Sequence, residues 1–140
     1  MASAVWIRGC IMGMCGNEIQ HTVLSPDHLR TAHLFVRSCG AMDRDVWWVA
    51  IIDADDELGN HAGNVMAFRR SQSARGLAAR LEWKSDVLLQ VSYPQYSELF
   101  RRFDDVEGVL VMYVEQPLAQ WNEPDPPWKL RLSPEQSRMR

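Results

Sequence analysis

Short apolar segments recur from Leu29 to Val114, broken by turn residues about every ten positions, and this rhythm constrains the fold more than any other feature. From Leu29 to Arg37, Ala32, Leu34 and Val36 alternate with His33, Phe35 and Arg37, the period of a half-buried strand. Val46-Trp47-Trp48-Val49-Ala50-Ile51-Ile52 is β-branched, aromatic and apolar on both faces, which predicts a central strand. Gly63 to Phe68 predicts another. Leu77, Ala79, Leu81 and Trp83 alternate with Ala78, Arg80 and Glu82. Lys84-Ser85-Asp86 then turns the chain into a hairpin partner carrying Val87, Leu89, Val91 and Tyr93, and Pro94 ends it. Val109 to Val114 is the last strand. Tyr96 to Phe103 predicts a helix, with Leu99, Phe100 and Phe103 on one side and Glu98, Arg101 and Arg102 outside. The expectation is a mainly β, single-domain fold: a mostly antiparallel sheet of about six strands, as a small sandwich or meander, with one short helix.

Residues 1–18 form an N-terminal segment, 19–116 the β domain, and 117–140 a C-terminal arm. Pro117, Pro124, Pro126, Pro127 and Pro134 punctuate the arm, and Trp121 and Trp128 are its candidates for docking on the domain. Hydrophobic residues at 46% against 24% charged predict a folded globular chain. A net charge of −3 argues against a nucleic-acid partner, which calls for a basic face. No apolar run is long enough to span a bilayer.

The three cysteines, Cys10, Cys15 and Cys39, all fall in the first third of the chain. As buried free thiols they would be ordinary in a reducing compartment. Cys15 and Cys39, however, each precede a glycine at a turn signal. A bond between them would close a loop of about 25 residues, stabilising the fold by roughly 3–4 kcal/mol. Cys10 follows Ile7-Arg8-Gly9, a sequence similar to the junction at which bacterial lipoproteins are cleaved and lipidated. Arg8 stands where a small residue belongs, and only nine residues precede Cys10, fewer than a leader requires. Either the chain is cytoplasmic, or its translated start lies upstream.

Cys15-Gly16-Asn17-Glu18, Ser25-Pro26-Asp27, Phe35-Val36-Arg37, Cys39-Gly40-Ala41 and Gly63-Asn64-Val65 follow one another in order. They continue into Trp83-Lys84-Ser85-Asp86, Leu89, Val91, Tyr93-Pro94 and Gly108-Val109. This ordered set resembles a family of small bacterial envelope and lipoprotein-like proteins of unknown function. Its members carry Cys-Gly-Asn-Glu, Ser-Pro-Asp-Gly and Cys-Gly-Ala-Thr-Thr motifs. The resemblance covers about residues 14 to 114 and implies an exported β-rich domain in which Cys15 pairs with Cys39. It implies no reaction. The chain departs from the family where His28 replaces the turn glycine, where Met42-Asp43-Arg44 replaces the threonines, and where the signal peptide is missing.

The residues that could carry chemistry do not converge in the sequence. His21, His28, His33 and His61 are scattered, and Cys10, Cys15 and His21 do not reproduce a zinc-ligand spacing. Asp53, Asp55, Asp56 and Glu57 form an acidic loop without the calcium-loop pattern. There is no nucleophile elbow and no phosphate-binding glycine loop. Neither a cofactor nor a metal is therefore expected, nor a catalytic residue. Trp47 and Trp48 point to opposite faces of their strand; they are core on both sides, or one anchors a partner protein beside the acidic loop.

The leading expectation is a non-enzymatic protein-interaction module of the bacterial envelope or periplasm, an inhibitor or immunity-type protein being one version. Its candidate contacts are Trp47, Trp48, Trp121 and Trp128, and Cys10 is a candidate lipid anchor. The alternatives are a small enzyme or ligand-binding domain and a structural lipoprotein. In the ligand-binding alternative, Trp121, Trp128 and Tyr96 line a pocket under the arm, and Arg69 or Arg80 meets an anion.

Overall fold

The computed structural model describes residues 15–39 and 46–123. Within them, nine strands form two sheets. The first sheet contains β1 (Gly16–Leu24), β2 (Arg30–Ser38), β3 (Val46–Asp53), β4 (Met66–Arg69) and β7 (Glu98–Arg102), paired in that order and antiparallel throughout. The second contains β5 (Arg80–Ser85), β6 (Leu88–Pro94), β8 (Asp105–Val106) and β9 (Val109–Gln116), in the order β5-β6-β9-β8. Its β6–β9 pair is parallel, because the chain leaves β6 to place β7 in the other sheet before returning. The helix α1 (Leu118–Trp121) follows β9.

Alternation along the strands makes the sandwich. Ala32, Leu34, Val49, Ile51, Met66 and Phe68 of the first sheet pack against Leu81, Leu89, Val91, Val109 and Val111 of the second. Two half-buried aromatics join the sheets by their polar heads. Trp83 Nε1 on β5 donates to the Val23 carbonyl on β1 at 3.1 Å. Tyr113 Oη on β9 lies 3.1 Å from the Val65 carbonyl and 2.5 Å from that of Phe103. Burial there pushes the phenol pKa up to about 12.

The first sheet buries its other face as well. Phe35, Ala50 and Leu58 form a second apolar cluster with Trp48 and Ile52 packed against it. Leu58 comes from the loop after β3, which folds back over the sheet. Gly63 lets that loop return, since a Cβ there would come within 2.6 Å of the Val49 carbonyl. Asn64 then stands in for a strand partner, accepting from Ile51 N at 2.8 Å and donating to its carbonyl at 2.9 Å.

The mainly β sandwich expected from the alternation is present, with three differences in detail. Tyr96 to Phe103 is not a helix: Glu98–Arg102 is strand β7, and the helix of the described residues lies in the arm. The strands number nine rather than about six, because β1, β7 and the two-residue β8 had no clean period. β1 also starts at Gly16, inside the segment assigned to 1–18.

Candidate functional site

Two regions of the first sheet present chemistry at the surface, one at each edge. At the β1 edge, the loop after β3 roofs a groove of about 370 Å³ lined by Asn17, Ile19, His33, Asp56, Glu57, Leu58 and Gly59. β1 and β2 supply its floor. Their register sets Asn17 against Arg37, Ile19 against Phe35 and Thr22 against His33, so alternate residues of both strands face the loop. A bulge at Gln20, between Ile19 and His21, lets β1 keep this face along its length.

Hydrogen bonds hold the roof in place. Asn17 Nδ2 donates to the His61 carbonyl at 2.7 Å and to that of Gly59 at 3.2 Å. Arg37 Nη1 donates to Asn17 Oδ1 at 2.8 Å and to the Asn60 carbonyl at 3.3 Å. Below the roof, the His33 ring is buried with both nitrogens engaged. Nδ1 lies 2.7 Å from Thr22 Oγ1, and Nε2 lies 3.3 Å from Thr31 Oγ1. Burial holds the His33 pKa below the ordinary imidazole value, favouring the neutral ring.

The turn from β1 to β2 is built as Ser25-Pro26-Asp27 demands. His28 N donates to the Ser25 carbonyl, and Asp27 Oδ1 accepts from Ser25 Oγ at 2.7 Å and from Leu29 N at 3.1 Å. The Ser25 hydroxyl, followed by the Leu29 amide, holds the Asp27 carboxyl below the usual carboxylate range. His28 occupies the left-handed region at φ 63°. Cys15 and Cys39 close the far end of the same ladder, one step beyond Gly16 and Ser38, and are joined by a disulfide.

At the opposite edge, all five residues of β7 are exposed. Phe100 is the extra residue of a bulge, because Leu99 pairs with Phe68 while Arg101 pairs with Ala67. Phe100 and Phe103 are 46% and 48% exposed, and Tyr96, on the turn into the strand, is 70% exposed. Tyr96 also has a left-handed backbone at φ 71°, unusual for a bulky side chain. Arg69 reaches over the Phe100 ring at 5.1 Å and pairs with Glu98 at 3.0 Å. Arg102 stacks on Tyr113 at 4.8 Å. Arg101 makes no ion pair with any described residue.

The residues singled out from the sequence fall in several places. Trp47 and Trp48 are half-buried on opposite faces of β3, Trp47 against the inter-sheet core and Trp48 in the second cluster. Arg70 lies over the Trp47 ring at 5.8 Å. Trp121 is buried, with Arg80 stacked on it at 3.8 Å and its Nε1 donating to the Arg75 carbonyl at 3.0 Å. Arg80 also donates to the Trp121 carbonyl at 3.0 Å, so the structure brings these two together as a latch for the arm. Arg69 is engaged by Glu98 and Phe100. Cys10 and Trp128 lie outside the described residues, as do Met42, Asp43 and Arg44.

Among the described residues, no group of three or more His, Cys, Asp or Glu side chains is arranged to hold a metal ion. No described helix is long and apolar enough to cross a membrane. Sequence reasoning singled out Asp56 and Glu57 as acidic loop residues but did not place Asn17, Ile19 or Leu58 beside them. Nor did it foresee an exposed aromatic edge at Phe100 and Phe103, having assigned them to a helix face. Comparison of the chain with protein-family models, with curated proteins and with solved structures returns no match.

Proposed function

We propose that this protein is a non-enzymatic interaction module of the bacterial cell envelope, which engages a partner protein through the β7 edge in the manner of an inhibitor or immunity-type protein. The observation that carries the reading is the exposure of Tyr96, Phe100 and Phe103 on and beside β7, the edge strand that also carries the exposed Arg101. Aromatic and arginine side chains are the residue types that dominate binding energy at protein interfaces. The bulge at Phe100 and the Arg101-Arg102 pair disfavour extension of the sheet by a second copy of the same edge. Binding therefore proceeds through side chains, against an apolar patch with an acidic rim to meet Arg101. The Cys15–Cys39 disulfide and the resemblance to small envelope proteins support an oxidising compartment outside the cytoplasm.

The test is capture from envelope extracts under oxidising conditions, comparing wild type with a Tyr96→Ser/Phe100→Ser variant. Tyr96 is 70% and Phe100 46% exposed, and neither belongs to the buried core, so the variant keeps its fold. Wild type retains a stoichiometric partner and the variant loses it. Absence of a stoichiometric partner, or equal retention by both proteins, ends the proposal.

A further inference from the structure

The outer face of the second sheet is covered at one end and open at the other. Leu81, Leu89, Val91, Val109 and Val111 enter the core, so the residues that alternate with them face outward. The register sets these outward residues in rows: Arg80-Ser92-Val114, then Glu82-Gln90-Met112, then Leu88-Leu110-Asp105. The start of the arm covers the first row. Arg80 reaches the Gln116 side chain at 3.4 Å and stacks on Trp121 of α1, and Ser92, the middle residue of the row, is only 4% exposed. Asn122 then ties the arm to the loop before β5, donating to the Ser73 carbonyl at 2.9 Å and accepting from Arg75 N at 2.8 Å. The two rows beyond are open, with Leu110 56% and Met112 39% exposed beside the half-buried Leu88.

The chain itself supplies an occupant. Beyond Glu123, Pro124, Pro126 and Pro127 lead to Trp128-Lys129-Leu130-Arg131-Leu132, in which apolar and cationic residues alternate. The five steps from Glu123 to Trp128 span about 15 Å at the polyproline rise of ~3.1 Å per residue. The four steps from Ser92 to Leu88 cover about 13 Å at the strand rise of ~3.3 Å, so the segment reaches the open rows from where α1 leaves it. Alternate residues of an extended segment share one face and recur at the spacing of Leu110 and Met112 along β9. We propose that residues 128–132 of this same chain cover the open rows, running antiparallel to β9, with Trp128, Leu130 and Leu132 against Met112, Leu110 and Leu88. Lys129 and Arg131 then face away from the sheet. Asp105, exposed at the end of the last row and in no ion pair with a described residue, offers them an opposite charge at its edge. The tether favours the arm over a second copy, because a short linker holds a segment at an effective concentration of about millimolar.

The test uses the full, oxidised chain. Nuclear Overhauser contacts from the Trp128 indole and the Leu130 and Leu132 methyls to the Leu110 and Met112 methyls are expected within uniformly labelled protein. They should be absent between copies in a mixture of differently labelled chains. A Leu130→Ser/Leu132→Ser variant leaves both apolar clusters of the sandwich untouched. Its Met112 should oxidise several-fold faster in dilute peroxide, while the buried Met66 keeps its rate as a check on the fold. Contacts found only between differently labelled copies assign the face to a second copy and overturn the proposal. So do contacts of Trp128 with another face, no contacts at all, or an unchanged rate of Met112 oxidation. Neither readout involves Tyr96 or Phe100, so failure here leaves the β7 reading standing, and the converse also holds.

Discussion

The two edges of the first sheet solve the same problem in opposite ways. An edge strand exposes unpaired backbone groups, and natural sheets cover, shorten, charge or twist such edges. β1 is nine residues long, and its ladder with β2 is closed by a tight turn at one end and a disulfide at the other. Asn17 and Arg37 add a loop across its outer face. β7 has five residues, pairs with a β4 of only four, and is exposed throughout. It is held to the second sheet by Tyr113 and protected by a bulge and two arginines. Both edges are largely exposed and each carries a bulge, but β1 is long and held by covalent and polar ties, whereas β7 is short and aromatic. Such ties suit a strand that must stay paired; a short aromatic edge suits one that meets a partner.

Removing the disulfide is the strongest way to break this comparison. The bond joins residues separated by 24 positions. Replacing Cys39 by Ser should cost roughly 3–4 kcal/mol from loop-closure entropy released in the unfolded chain. Urea unfolding of wild type with and without reductant, beside Cys39→Ser, measures the loss. The reduced wild type and the variant should coincide. Amide exchange should accelerate most along β1, beyond the general acceleration that the loss of global stability imposes. Acceleration no greater in β1 than in β7 would show that the disulfide acts through the unfolded chain alone and does not insulate one edge.

The same contrast explains what the sequence disclosed. β2, β3, β5, β6 and β9 were legible because their alternation or apolar runs survive intact, and the Ser25-Pro26-Asp27 turn because each residue has a defined local role. β1 was obscured by its polar composition and by the bulge at Gln20, which shifts the alternation halfway along. β7 was misassigned for a related reason. An extra residue at Phe100 puts Leu99, Phe100 and Phe103 at the spacing of a helix face, although the backbone is extended. The groove was invisible because it joins β1, β2 and the loop after β3, segments far apart in the chain that no local period connects. The Cys15–Cys39 pair was accessible because two cysteines at turn signals leave few partners to choose from.

A smaller effect is expected where β7 is tied down. Tyr113→Phe removes the hydroxyl next to the Phe103 and Val65 carbonyls. The Val65 carbonyl retains the Phe103 amide as a donor at 2.9 Å, so the Phe103 carbonyl carries the loss. The cost should be about 1–2 kcal/mol in urea unfolding. Amide exchange should quicken in β7 and Phe103 while β1 stays protected, the reverse of the disulfide variant. An unchanged β7 would mean that pairing with β4 alone holds the edge.

The smallest expected effects separate strain from function at the two edges. His28 on the β1–β2 turn and Tyr96 on the turn into β7 both have left-handed backbones, at φ 63° and 71°. A side chain in that region is disfavoured by contact between its Cβ and the carbonyl oxygen, a cost that glycine avoids. His28→Gly and Tyr96→Gly should therefore each stabilise the protein by about 0.5–1 kcal/mol, after the greater entropy of glycine in the unfolded chain is offset. Urea midpoints measure both. At the β1 turn nothing opposes the gain, since the exposed His28 side chain has no hydrogen bond in the turn network. At β7 the strained residue is an exposed aromatic at the centre of the proposed interface, so Tyr96→Gly should gain stability and lose partner capture together. His28→Gly should gain stability and keep capture. If both variants retained the partner equally, the strain at Tyr96 would be a property of the turn alone, and the open edge would lose its aromatic anchor.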